Sequence, residues 1–365
     1  MFKPGQTFVI AEAGVNHNGS VERALEMIDV AAAARADAVK FQTFVTESVI
    51  SRSAPKAEYQ LRTTTPSESQ FDMVKKLELD AEAHRLLLER ARAKGIQFLS
   101  TPFDFESLDL LAGRFDLPLL KIPSGEISNA PLLLRAAQTG KPLIVSTGMC
   151  TLADIELALG VLAFGYVRPV APPSVSAFRE AYASREGQAA LQEMITVLHC
   201  TTEYPAPFAE INLRAMDTLK SAFGLRVGLS DHSQGISVPI AAVARGAMVV
   251  EKHFTLDRTL PGPDHAASLE PHELEQMVRS IREVEAALGV SSKVPTSSES
   301  KNLGIARKSL VAAEAIAAGE VFTEENLTAK RPGTGVPPYL FWNFLGKRAN
   351  RSYQKDEIID GDSYL

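Results

Sequence analysis

"VGLSDHSQGISVPIAAVARGAMVVEKHFTLDRTLPGPDH" runs from Val227 to His265 and holds two short apolar runs, VGLSD and MVVEKH, separated by a helical stretch of small and apolar residues. Both runs read as buried strands, and each ends in polar residues: Ser230, Asp231 and His232, then Glu251, Lys252 and His253. Strand, helix, strand with chemistry-bearing ends is the repeating unit of a parallel α/β fold. Six more such runs precede it: TFVIAE, AVKFQT, QFLST, LLKIPS, LIVSTG and ITVLHC. Amphipathic segments lie between them, such as SVERALEMIDVAAAARA from Ser20 and DAEAHRLLLERARAK from Asp80, each opening on an N-capping residue. Eight units in roughly 290 residues predict a (β/α)8 barrel over 1–289, a fold of about 250 residues before insertions. A doubly wound open sheet is the other arrangement of such units. It gathers ligands at one switch point, whereas here nearly every run ends in polar residues.

After Gly289 the sequence VSSKVPTSSESKN turns polar and Ser-rich, which reads as a linker over 290–302. The remainder, 303–365, has short strand-like runs and Gly/Pro turns and predicts a compact β-rich second domain too small to be another enzyme.

The 365 residues are 45% hydrophobic and 22% charged, enough for one large core and a small one. A net charge of −6 argues against nucleic acid or an anionic membrane as the main partner, but leaves room for a local basic pocket. The only two cysteines, Cys150 and Cys200, form no zinc spacing and no disulfide framework. No apolar run reaches spanning length and the N-terminus does not read as a signal peptide, so a cytoplasmic protein is expected.

In a barrel the strand ends converge on one rim. His232 and His253, on neighbouring strands, would then reach one point, where two imidazoles suit a divalent metal with coordination positions left open. Lys40 and Lys121 are costly to bury unless they meet an anion or form a Schiff base. The hydroxyls of Thr101, Ser124, Ser146, Thr147 and Ser230 extend a donor set suited to phosphate and carboxylate. Glu12, Glu126 and Asp264 can act as a general base or accept from sugar hydroxyls, with Gln42 and Tyr204 nearby in the pattern. Glu251, beside Lys252, reads instead as an ion-pair partner of a rim lysine. Asn16, His17 and His199 also fall at strand ends. These residues describe a metal-assisted barrel enzyme for a polar, anionic substrate.

Longer strings carry more. AEAGVNHNGS, KFQTF, STPFD, KIPSGEI, STGM, LHCTTEYPAPF, GLSDHS, EKHFTLDRTLPGPDHAASLEP and KRPGTG resemble the sialic acid synthase family across essentially the whole chain. The resemblance implies a (β/α)8 barrel followed by a small antifreeze-like (SAF) domain. It also implies condensation of phosphoenolpyruvate with an N-acetylmannosamine-type sugar to a nonulosonic acid and phosphate. By the same resemblance His232 and His253 bind manganese or magnesium, while Lys121, Thr101, Ser124, Ser146, Ser230 and Lys40 hold phosphoenolpyruvate. Gln42, Glu126, Tyr204 and Asp264 fall at sugar-binding positions, and Glu12 near the reacting carbon. Arg331, in KRPGTG, would close the sugar site of the other subunit of a domain-swapped homodimer. Some members carry Asn where this chain has Thr202, which leaves Thr202 without an assigned role. The strings sit closer to legionaminate synthases, which use 2,4-diacetamido-2,4,6-trideoxymannose, than to pseudaminate synthases; N-acetylmannosamine is the alternative sugar. A barrel hydrolase of the amidohydrolase type would want His-x-His after the first strand, and GVNHNG lacks it. A non-catalytic ice- or carbohydrate-binding role for the second domain is the other reading; ice binding wants a flat, modestly apolar face, whereas KRPGTG puts a cation in a turn, and a cap over the barrel fits better.

Overall fold

The structure, a computed structural model, describes residues 5–362 except 65, 66 and 169, and leaves out the side chains of Tyr59, Arg62 and Thr63. It divides into two compact units, 1–289 and 290–365. In the first, β1 (Phe8–Gly14), β2 (Ala38–Thr43), β3 (Gln97–Pro102), β4 (Leu120–Ile122), β5 (Leu143–Ser146), β6 (Ile195–Cys200), β7 (Arg226–Asp231) and β8 (Val249–His253) form one sheet. Its order is β3-β2-β1-β8-β7-β6-β5-β4, and every paired neighbour is parallel. The terminal strands β3 and β4 pack side by side and close the ring. This is the eight-stranded barrel expected from the repeating unit.

Helices α1 (Val21–Ala33), α2 (Ala81–Lys94), α3 (Phe105–Asp109), α4 (Ala130–Gln138), α5 (Leu152–Val167), α6 (Ala215–Phe223), α7 (Ser237–Ala244) and α8 (Pro271–Leu288) follow the strands in turn. Ser20 and Asp80 cap α1 and α2 as their sequences require, each accepting from a backbone N–H three residues on. Two insertions interrupt the pattern. Short helices at Thr46–Val49, Glu58–Thr63 and Gln70–Lys75 lie between β2 and α2, and Val175–Ala183 and Arg185–Met194 lie between α5 and β6.

Strand alternation sorts the side chains into two cores. One face packs against the helices in a continuous apolar layer. The other faces the barrel axis, where Ile10, Leu99, Leu119, Ile144, Leu198 and Val249 fill the interior. These interior side chains are at most 1% exposed, so truncating one such leucine should cost about 2–5 kcal/mol.

The second unit holds one antiparallel ladder, β9 (Ser309–Ala312) with β10 (Leu327–Lys330), and isolated bridges at 311/358, 316/353 and 321/348. Its own core gathers Leu310, Phe322, Leu327, Phe344, Tyr353 and Ile359. Turns carry more of it than strands do. The stretch expected as a linker includes a capped helical turn, Ser297–Ser300, in which Thr296 and Glu299 form a reciprocal capping box.

Candidate active site

Moving two residues along each strand from the apolar filling reaches the C-terminal rim on the same inward face. Ile10 is followed by Glu12, Ala38 by Lys40 and Gln42, Leu99 by Thr101, Leu119 by Lys121, Ile144 by Ser146, and Val249 by Glu251 and His253. These side chains, with Ser124, Glu126, Tyr204, Ser230, His232 and Asp264 from the strand ends and loops, line a single cavity of about 700 Å³. Such a position, above a packed barrel core, is where enzymes of this fold carry their chemistry.

At its floor two ammonium groups and two carboxylates are buried together. Lys40 Nζ lies 2.7 Å from Glu12 Oε2 and 3.6 Å from Glu251 Oε2, and Lys121 Nζ lies 3.7 Å from Glu251 Oε1. Lys40 donates to Thr101 Oγ1 at 2.8 Å, Lys121 to Ser146 Oγ at 2.7 Å, and Ser230 to Glu251 at 3.0 Å. Burial raises Glu12 to a pKa of about 7 against the opposing charge of Lys40. Burial also pulls Lys121 below its ordinary value, only partly offset by Glu251. For Glu251 the upward push of burial is outweighed by Lys121 and Lys40, which hold its carboxyl low. Two dehydrated ammoniums ringed by hydroxyls form a ready anion receptor, with Glu251 occupying part of their coordination.

Facing this cluster, the imidazoles of His232 and His253 lie with ring centroids 5.4 Å apart. His232 Nδ1 is 2.7 Å from the Thr201 carbonyl; as donor there, it leaves Nε2 with its lone pair. His253 Nδ1 is buried without a hydrogen-bond partner and stands 3.9 Å from Asp264 Oδ2. Burial drives His253 well below the usual histidine value, and raises Asp264 to about 6. Tyr204 packs over His232 at 4.1 Å and edge-on to His253 at 5.6 Å. An orphaned, buried, neutral imidazole beside a second one oriented through its far nitrogen is a donor pair that fits a divalent transition metal. No cluster of three or more His, Cys, Asp or Glu side chains of that kind occurs among the described residues, so most coordination positions there would be left to water or substrate. Gly14, at φ +54°, sits where a side chain would come within 3.3 Å of His253 Cε1 and 3.4 Å of Glu12 Oε1.

Several residues at or just past strand ends do not line the cavity: alternation sends Asp231, Lys252 and His199 outward, and Asn16 and His17 lie in the turn after β1. Asp231 and Lys252 form a fully buried pair at 2.7 Å behind the rim, and Lys252 also donates to the Ser233 carbonyl. Asn16 donates to the Phe254 carbonyl and Ser268, Thr147 to the Leu198 carbonyl, and His199 Nε2 meets the Ile211 carbonyl. His17 is buried with Nδ1 taken by the Gly19 N–H. Glu251 is an ion-pair partner of rim lysines, but of Lys40 and Lys121 rather than its neighbour Lys252, and it occupies the centre of the site. Thr202, without a role in the sequence reading, lines the cavity with a buried hydroxyl that has no partner. Cys200 lines it too, one strand position inward of the outward-facing His199. Arg331 belongs to the second unit, where its Nε donates to the Ala306 carbonyl on an exposed turn.

Two buried lysines paired with two carboxylates, facing a histidine pair on the C-terminal rim of a (β/α)8 barrel, define a barrel enzyme active site. The chain belongs to the NeuB family, whose model matches residues 27–293; a SAF domain matches residues 307–364. It is 50% identical to N,N'-diacetyllegionaminic acid synthase of Campylobacter jejuni, over 97% of this chain and 99% of that one. It is 43% identical to the enzyme of the same name from Legionella pneumophila, over 93% of this chain and 90% of that one. The crystal structure of an N-acetylneuraminic acid synthetase from Leptospira borgpetersenii, in complex with citrate, is 35% identical, with a TM-score of 0.64 over 81% of this chain and 90% of that one. Among the described residues no helix is long and apolar enough to cross a membrane.

Proposed function

We propose that this chain condenses phosphoenolpyruvate with 2,4-diacetamido-2,4,6-trideoxymannose and water, giving N,N'-diacetyllegionaminate and inorganic phosphate. The observation that carries the reading is the buried floor of Lys40, Lys121 and their hydroxyl partners facing the His232/His253 pair across one cavity. The identities of 50% and 43% to proteins named for legionaminate favour the diacetamido sugar over N-acetylmannosamine.

In this reading Lys121, Lys40, Thr101, Ser124, Ser146 and Ser230 bind the phosphate and carboxylate of phosphoenolpyruvate. Gln42, Glu126, Tyr204 and Asp264 orient the sugar. His232 and His253 would hold manganese or magnesium, which as a bound Lewis acid supplies polarisation of the sugar carbonyl. Enol carbon 3 forms a bond to the carbonyl carbon as the carbonyl π bond breaks, and the oxygen takes up one proton, balanced by the proton that the water added at carbon 2 releases. Water adds to carbon 2, and Glu12, poised near neutrality, takes its proton. The tetrahedral carbon then loses inorganic phosphate by C–O cleavage. No Schiff base is required, because the substrate arrives as an enol.

The protein acts in the cytoplasm as a homodimer in which Arg331 of one subunit reaches the sugar site of the other. The test is phosphate release from phosphoenolpyruvate, expected only when sugar and divalent cation are both present. His232→Ala and His253→Ala should each lower the rate about a thousandfold or more while leaving the circular dichroism unchanged. Full activity after exhaustive chelation would overturn the assignment of the histidines.

A further inference from the structure

The cavity is two-sided. Its floor and its β4–β8 side are polar, whereas the segment between β2 and α2 presents Val49, Ile50, Ala54, Met73, Val74 and Leu77. Between residues 49 and 77 the described lining includes no ionisable side chain; its polar members are Ser51, Gln60 and Gln70. The wall is built, not incidental. Leu77, Phe44 and Val15 form an apolar cluster separate from the barrel core, with Val49, Val74 and Phe103 packed on it and Phe44 edge-on to Phe103 at 6.2 Å. Phe44 lies two residues beyond Gln42, so the wall rises from the strand end that carries a proposed sugar contact.

An uncharged apolar wall lowers the free energy of a ligand that brings methyl groups to it, and raises that of one that strands a hydroxyl or a phosphate there. Resting on the proposed condensation, we infer that the 49–77 wall selects the sugar: it receives the deoxy methyl at carbon 6 and the acyl methyl of the second acetamido group. N-acetylmannosamine places a hydroxyl at each of these positions. Neutral Gln60 and Gln70 suit an amide better than a charged side chain would. A sugar bearing a 6-phosphate meets no cation among the described residues that line this wall.

The experiment compares kcat/KM of the full-length protein, with divalent cation, for three sugars: the diacetamido trideoxy sugar, N-acetylmannosamine and N-acetylmannosamine 6-phosphate. The wild type should prefer the first and fail to turn over the third. Met73→Gln and Ile50→Thr make the wall polar, and Ala54→Leu narrows it. Each should lower the ratio of the first sugar to the second by about tenfold or more, with KM for phosphoenolpyruvate little changed. Should Met73→Gln misfold by circular dichroism, the other two variants decide. A wild type that prefers N-acetylmannosamine overturns both the substrate assignment and the wall's role. A wild type that prefers the diacetamido sugar, with a ratio the folded variants leave within twofold, overturns the wall alone. Turnover of the 6-phosphate at the rate of N-acetylmannosamine does the same.

Discussion

Glu12 shows what burial does to one side chain. It lies 1% exposed, 2.7 Å from Lys40, and its carboxyl is raised to about 7 because loss of hydration outweighs that cation. A base must be ionised to accept a proton, so kcat/KM should rise with pH through about 7 and level off above it. Glu12→Gln should remove that limb and lower the plateau by roughly a hundredfold or more, the usual scale of general-base catalysis. A limb retained in Glu12→Gln would assign the titration to another group. Glu12 was legible in the sequence as a strand-end carboxylate; its pKa was not, since that depends on Lys40 and Glu251 arriving from other strands. The same holds for Glu251. Its sequence neighbour is Lys252, yet adjacent residues of a strand point to opposite faces, so it meets Lys40 and Lys121 instead.

At the scale of the element, β8 ends on His253 and β7 leads directly into His232, and the two strands are clamped from behind. The Asp231–Lys252 pair is fully buried, Asp231 accepts from Ser233, and Lys252 bridges to the Ser233 carbonyl just past His232. Removing one partner leaves a buried charge uncompensated, so Lys252→Met should destabilise the barrel by about 3–5 kcal/mol. Replacing both, Asp231→Leu with Lys252→Met, should cost less than the single change, and urea unfolding of the three variants checks the order. A double variant less stable than Lys252→Met would show that the clamp contributes more than charge compensation. All eight strands and the caps of α1 and α2 could be read from apolar runs and N-cap residues. Period 2 also told which residues share a face, but not which face is inward; His199, between inward-facing Leu198 and Cys200, turns outward for that reason, while Asn16 and His17 fall in the turn beyond β1, where period 2 no longer applies. The helices between β2 and α2 escaped the reading because four- and six-residue helices leave too short a pattern to register.

For the whole molecule, the two-unit division at 289/290 places Arg331 in the smaller unit and Lys121 in the barrel. In the proposed dimer a complete site draws Lys121 from one subunit and Arg331 from the other. Arg331→Ala should cost about 1.5–3 kcal/mol for each charge-assisted hydrogen bond lost to the sugar. Lys121→Ala and Arg331→Ala chains, dissociated and reassorted, should regain roughly a quarter of the sites, since half of the dimers are mixed and each holds one intact site. A mixture no more active than the averaged parents, with exchange verified, would rule out capping by the partner. The central claim is the bond that breaks. Phosphoenolpyruvate labelled with 18O in its bridging oxygen, turned over with the diacetamido sugar, measures it directly by mass spectrometry of both products. C–O cleavage carries the label entirely into phosphate and fills carbon 2 of the acid with oxygen from water; label retained in the acid would mean P–O cleavage and contradict the proposed condensation.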